Sequence, residues 1–164
     1  QLLEIPYVGR RLSMIVLLPG TGRGGMGALE ASLSGDLLAR RLENAAAARV
    51  DASLPRFSFG WGTESLLAPL AAMGLAPAFG GEADFSGMTG DRSLKISDVL
   101  HRAFVDVTEE GTEAAAASAA IVTRALPAFE PPRKFRADRP FVFLIRDRDT
   151  GAILFMGRVS DPGE

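Results

Sequence analysis

Leu12 to Leu18 (LSMIVLL) is a continuous apolar run closed off by Gly9–Arg11 on one side and Pro19-Gly20 on the other, the pattern of a buried strand. With Leu2–Tyr7 and the intervening Val8-Gly9-Arg10 it predicts a hairpin. Gly20 to Gly25 reads as loop. Over Ala28 to Asn44 the apolar residues Leu29, Leu33, Leu37, Leu38 and Leu42 fall at helical spacing and predict one or two helices. Val50 to Phe59 alternates in VDASLPRFSF around an interior proline, which predicts an edge or bulged strand. Ser65 to Met73 reads as a helix, with Thr63 or Ser65 as cap and Gly74 as stop. Leu94 to Val107 mixes helix and strand signals, and Ala103–Val107 is strand-like. Phe141–Ile145 and Ala152–Val159 predict two strands joined by a turn at Asp149-Thr150-Gly151. No internal repeat is present.

Composition narrows the function classes. The chain has 164 residues, 47% hydrophobic and 23% charged, which is ordinary globular composition. Eighteen basic against twenty acidic residues leave a formal net charge of −2, so nucleic acid and anionic membrane are not expected as partners. Sixteen of the basic residues are Arg; Lys95 and Lys134 are the two lysines. Without cysteine there is no disulfide frame, thiolate-held metal or thiol nucleophile. A single histidine, His101, leaves little room for a histidine metal site or a hydrolase triad, and no cofactor is expected. No basic start followed by an apolar stretch marks a signal peptide, and no apolar run approaches the ~20 residues of a membrane helix. The chain opens inside a predicted strand, which suits the later part of a longer protein.

Three segments carry candidate chemistry. Gly20-Thr-Gly-Arg-Gly-Gly25 matches G-x-G-x-x-G between a predicted strand and a helix, where backbone amides could cradle a pyrophosphate. Asp51 lies 31 residues beyond Gly20 rather than about 20, and no second βαβ unit follows, so a surface loop is the competing reading. His101 has acids and serines nearby in sequence, but no G-x-S-x-G elbow exists, and a partly buried structural histidine is the simpler expectation. The third segment is Glu109 to Ala120. Its six alanines, with Thr112 as cap and Glu113 near the N-terminus, have helical propensity. No apolar stripe would anchor such a helix to a core. Small side chains suit another role: a strand that slides between strands already present, with Ala114, Ala116, Ser118 and Ala120 on one face.

From these residues the chain resembles the C-terminal portion of a serpin, the family of serine protease inhibitors. Phe135-Arg-Ala-Asp-Arg-Pro-Phe-Val-Phe-Leu-Ile145 matches the family signature at every defined position, with Phe135, Asp138, Pro140 and Phe141 in place. Ile153-Leu-Phe-Met-Gly-Arg-Val-Ser-Asp-Pro162 resembles the family's final strand, including Phe155, Gly157 and Pro162. Glu109, Glu110, Gly111, Thr112, Glu113, Ala114, Ala115, Ala116, Ala117 and Ser118 resemble the hinge of inhibitory serpins. Leu54-Pro-Arg-Phe57 with Ser58-Phe59, the Met73-Gly to Ala83-Asp-Phe-Ser-Gly87 series, and Leu100–Val107 match in order upstream. Serpins are more than twice as long, so the resemblance implies a single domain of which residues 1–164 are the C-terminal segment. The hinge and reactive loop would span about 109–132, the C-terminal strand pair about 140–160, and the N-terminal part would lie elsewhere.

The resemblance implies an α+β fold of mixed β-sheets, a few helices and an exposed reactive loop. It implies an inhibitor rather than an enzyme: a serine protease cleaves the loop, forms an acyl-enzyme, and is trapped as the hinge inserts into the main sheet of a metastable fold. Family spacing puts the bait residue sixteen positions beyond Glu109, at Ala125, with Ala125–Leu126 as the scissile bond and an elastase-like target. A one-residue shift makes Arg124–Ala125 the bond and a trypsin-like protease the target. Pro127 and Pro131-Pro132 would keep the departing side extended. His101 aligns with a family histidine that helps govern opening of the main sheet. The resemblance further implies a secreted, extracellular protein, monomeric when full length. The alternatives are a non-inhibitory binding or storage protein of the same fold, or an inactive truncated fragment.

Overall fold

The computed structural model describes residues 1–22, 24–108 and 131–163. Two compact units separate: Gln1–Phe57 with Val107–Glu164, and Ser58–Asp106.

The first unit is built on a four-stranded antiparallel sheet. Strands β1 (Leu2–Pro6), β2 (Leu12–Leu17), β7 (Phe141–Asp147) and β8 (Ile153–Val159) lie in the order β1-β2-β7-β8. The predicted hairpins are both present. Gly9 and Arg10 turn the first through positive φ, 81° and 58°, and Gly151 at φ 78° closes the second. The register sets Ile15 beside Leu144 and Phe143 beside Gly157. Ile15, Leu17, Val142 and Leu144 are buried on one face under Leu38, with Leu29, Leu33 and Leu42 packed around them. On the opposite face Phe141 and Phe143 are buried, and the Phe57 ring meets them at 6.0 and 5.0 Å between centroids. Both faces of β2 and β7 are therefore covered, which is why the two strands read as unbroken apolar runs rather than alternating ones.

The leucine-rich stretch resolves into two helices, α1 (Gly25–Ser32) and α2 (Gly35–Glu43). Ser34 separates them: its backbone is extended and its Oγ accepts the Leu37 N–H at 3.2 Å, capping α2. Asp36 in the first turn and Arg40 and Arg41 in the last suit the helix dipole. The single strand expected over 50–59 is instead two. β3 (Val50–Ser53) ends before Pro55, which offers no N–H to a ladder, and β4 (Phe57–Ser65) starts beyond it. β3 pairs in parallel with β6 (Arg133–Arg136), a strand that the apolar pattern does not announce.

Asp147 organises the β7–β8 turn. Its Oδ1 accepts the N–H groups of Asp149 (2.9 Å) and Thr150 (3.2 Å), and its Oδ2 accepts Arg11 Nε at 3.0 Å. The Thr150 N–H first, then the Arg11 guanidinium and the Asp149 N–H, hold this buried carboxyl below its ordinary value of 3.8. A carboxylate depressed in the folded state adds stability that is fully present above 3.8 and lost as pH falls through the folded value. Asp147→Asn is therefore expected to lower the melting temperature at neutral pH and to flatten its fall at the acid end. Parallel melting curves of both proteins from neutral to acid pH check this.

In the second unit β4 pairs with β5 (Leu100–Val107) as a two-stranded sheet. One helical expectation needs correction here. The helix expected from Ser65 starts at Leu67 (α3, Leu67–Leu70), because Ser65 Oγ accepts the Leu67 N–H at 3.3 Å and Thr63 belongs to β4. Gly74, at φ 102°, breaks the helix in the left-handed region as a stop does, and a separate short helix, α4 (Ala76–Phe79), follows with Pro77 in its first turn. A further short helix, α5, covers Ser86–Thr89. Residues 93–99 carry no regular element, so of the mixed signals over 94–107 the strand signal prevails.

Candidate functional site

The segment that the sequence singles out sits between two described strands. β5 ends at Val107, two residues ahead of Glu109, and β6 begins at Arg133. The expected hinge, Glu109 to Ser118, and the expected bond residues Arg124, Ala125 and Leu126 lie outside the described residues.

On the hinge side, β5 alternates: Ala103, Val105 and Val107 are half-buried while Arg102, Phe104 and Asp106 are exposed. His101, near its start, is exposed, which corrects the expectation of a partly buried, hydrogen-bonded histidine. Its neighbour is Trp61 of β4, the one tryptophan of the chain, with ring centroids 5.7 Å apart at 51°. A triad would need a serine hydroxyl and a carboxylate at this imidazole, and none is hydrogen-bonded to it among the described residues. The Leu66 N–H donates to the Val99 carbonyl at 2.8 Å, and Ser65 Oγ donates to Asp98, tying the end of β4 to the approach to β5. A side chain at Gly62 would fall 2.3 Å from the His101 carbonyl oxygen, so only glycine admits this close approach.

On the far side, β6 places Phe135 in the interior at 5% exposure, with Ala137 also buried. Asp138 is exposed and pairs with Arg139 at 2.9 Å, and Arg139 Nε donates to the Pro19 carbonyl at 3.0 Å, pinning the turn before β7 to the end of β2. Pro140 is exposed in that turn, and Phe141 is fully buried behind it. Gly157 is explained by its neighbour: a Cβ there would stand 2.6 Å from the Phe143 ring. Pro162 is half-buried after β8, whereas Phe155 is 42% exposed on that edge strand. These residues build a scaffold; none has the geometry of a catalytic group.

The glycine loop does not make a dinucleotide site. β2, which leads into it, has antiparallel neighbours on both sides, whereas a pyrophosphate cradle of that type needs a parallel βαβ unit. Gly20, Gly22 and Gly25 border a cavity of about 310 Å³ whose other walls are mostly leucines, including Leu2, Leu17, Leu33 and Leu38. Among the described residues no group of three or more acidic or histidine side chains could hold a metal, and no helix is long and apolar enough to cross a membrane. Sequence reasoning missed β6 as an element. Arg133–Arg136, one Phe among three cations, carries no strand signal of its own.

Comparison with known proteins gives a consistent result. The family model described as Serpin (serine protease inhibitor) matches residues 1–162. The chain is similar to human Serpin B3, 46% identical over 99% of this chain and 41% of that protein. It is similar also to leukocyte elastase inhibitor of Xenopus laevis, 43% identical over 99% of this chain and 43% of that one. Among solved structures it resembles thyroxine-binding globulin in complex with thyroxine, with TM-score 0.75, 34% identity, and 99% of this chain and 41% of that one covered. The chain thus spans about two fifths of the length of the relatives it matches. The expectation of a secreted protein is overturned, since Serpin B3 and leukocyte elastase inhibitor are intracellular serpins.

Proposed function

The chain belongs to the serpin family, and from that premise we propose that the protein carrying it inhibits a serine protease by acting as a suicide substrate. The observation that supports this most directly is the composition of the hinge-like tract: between Thr112 and Ala120 one residue is charged, Glu113, and the rest are small. Bulky or charged groups on the inward side of an inserting strand would clash or be buried without partners. The name of the leukocyte elastase inhibitor relative agrees.

The driving force follows from strand addition. Each residue that joins a sheet gains about 0.5–1.5 kcal/mol in net hydrogen bonding. Over roughly a dozen residues that approaches the ~5–15 kcal/mol by which a domain is stable at all. A loop held out of such a sheet is a store large enough to displace a bound protease. The loop runs from about 109 to 132, with Ala125–Leu126 as the bait bond and Arg124–Ala125 as its alternative, so the target is elastase-like, or trypsin-like in the second register. His101, on the strand that leads into the hinge, acts as a switch for sheet opening and takes no part in bond chemistry.

The test uses the full-length protein mixed with elastase and with trypsin. An SDS-resistant covalent band is expected, and scission near Ala125 is expected to raise the melting temperature of the inhibitor itself. Cleavage with no band and no gain in stability would point to the second reading, a non-inhibitory binding protein, which the similarity to thyroxine-binding globulin favours.

A further inference from the structure

The β3–β6 ribbon concentrates positive charge in a chain whose net charge is −2. β6 carries Arg133, Lys134 and Arg136 within four residues, all three exposed. Phe135 faces the interior, so Lys134 and Arg136 share the outer face, where their register partners on β3 are Asp51 and Ser53. Asp51 is thus the one acid set against three cations. None of the three forms an ion pair among the described residues. Arg49, just ahead of β3, and Arg56, just beyond it, add two more cations, each with contacts of its own.

From this placement we infer that the β3–β6 ribbon is an accessory docking surface for the target protease, meeting an acidic patch beside the protease's active-site cleft. The inference rests on the inhibitor reading and adds a second contact to it. Arg133 lies seven positions beyond Leu126, a span of at most about 25 Å even when fully extended. A protease domain of about 230 residues has a radius of gyration near 17 Å and is roughly 45 Å across. A protease seated on Ala125–Leu126 therefore has part of its body within reach of the ribbon. Charges so placed act mainly on the encounter: complementary surfaces raise association rates by about 10- to 1,000-fold at low salt and lose that advantage as salt screens them. The bait residue then selects the chemistry of the pocket, and the ribbon selects among proteases with the same pocket by the charge around it.

The experiment measures the rate of covalent complex formation by the full-length protein with the anionic and the cationic forms of trypsin and of pancreatic elastase. It is run at about 0.1 M and about 1 M NaCl, where the screening length falls from about 10 to about 3 Å. Charge reversal by Lys134→Glu with Arg136→Glu is expected to slow the reaction with an anionic form about tenfold at the lower salt and to leave it unchanged at the higher. The stoichiometry of inhibition should not move, and Lys134→Gln with Arg136→Gln should fall between, with melting temperatures matching the unaltered protein. Equal rates for all three proteins with the anionic forms at the lower salt would overturn the inference while a surviving covalent band keeps the inhibitor reading. Unchanged rates together with loss of heparin binding on charge reversal would assign the ribbon to a polysaccharide, and that also overturns it. Absence of a band with every protease overturns both readings.

Discussion

In the full-length protein, Thr112→Arg is expected to convert the inhibitor into a substrate. On insertion, residue 112 enters the sheet early, and a guanidinium on the inward face must either be buried without a counter-charge or hold the strand out. A rise of 1.4 kcal/mol in the insertion barrier slows that step tenfold. Hydrolysis of the acyl-enzyme occurs at the protease's own centre and keeps its rate, so the partition shifts by the same factor. The number of inhibitor molecules consumed per protease should rise about tenfold or more, with cleaved inhibitor accumulating in place of the covalent band. Thr112→Ser, which keeps a small hydroxyl, should behave as the unaltered protein. A stoichiometry left unchanged by the arginine would remove hinge insertion from the mechanism.

The second large effect is expected at Gly157. A methyl group there would stand 2.6 and 2.7 Å from two carbons of the Phe143 ring, which is 2% exposed and backed by the Phe57 ring at 5.0 Å. Overpacking of this kind costs about 1–3 kcal/mol, and the fall in melting temperature per kcal/mol shrinks as the domain grows. Gly157→Ala should therefore melt measurably lower, and Gly157→Val lower still. Phe143→Leu in the Gly157→Ala background should return part of the loss, and the double-mutant cycle isolates the pairwise clash. A melting temperature for Gly157→Ala equal to that of the unaltered protein would refute the packing argument.

Much of the first unit was legible because its strands meet apolar neighbours close in sequence or on both faces. Met14–Leu18 and Phe141–Ile145 are uniformly apolar since helix leucines cover one face and the Phe57 ring the other. The hairpin turns were readable from Gly9 and Gly151 for the same local reason. What escaped depended on distant partners. Arg133–Arg136 looks polar and too short for a strand, and it becomes one by pairing with Val50–Ser53, far upstream. Pro55 was visible, but whether it bulged one strand or divided two depended on where each half finds its partner. Gly74 reads as a helix stop and is one, at φ 102°; what the pattern does not show is the short helix that follows it. The signature residues Phe135, Phe141 and Gly157 were marked by family likeness alone, and packing supplies the reason: two are interior rings and the third leaves room for one. His101 was named correctly as the one histidine, but its exposure and its aromatic companion follow from the pairing of β4 with β5.

That companion has a practical consequence. The one indole of these 164 residues, Trp61, lies beside His101 on the strand that runs toward the expected hinge. Any rearrangement of that strand changes the surroundings of that fluorophore. The protein thus carries its own optical gauge, and stopped-flow emission can time loop movement in unlabelled material.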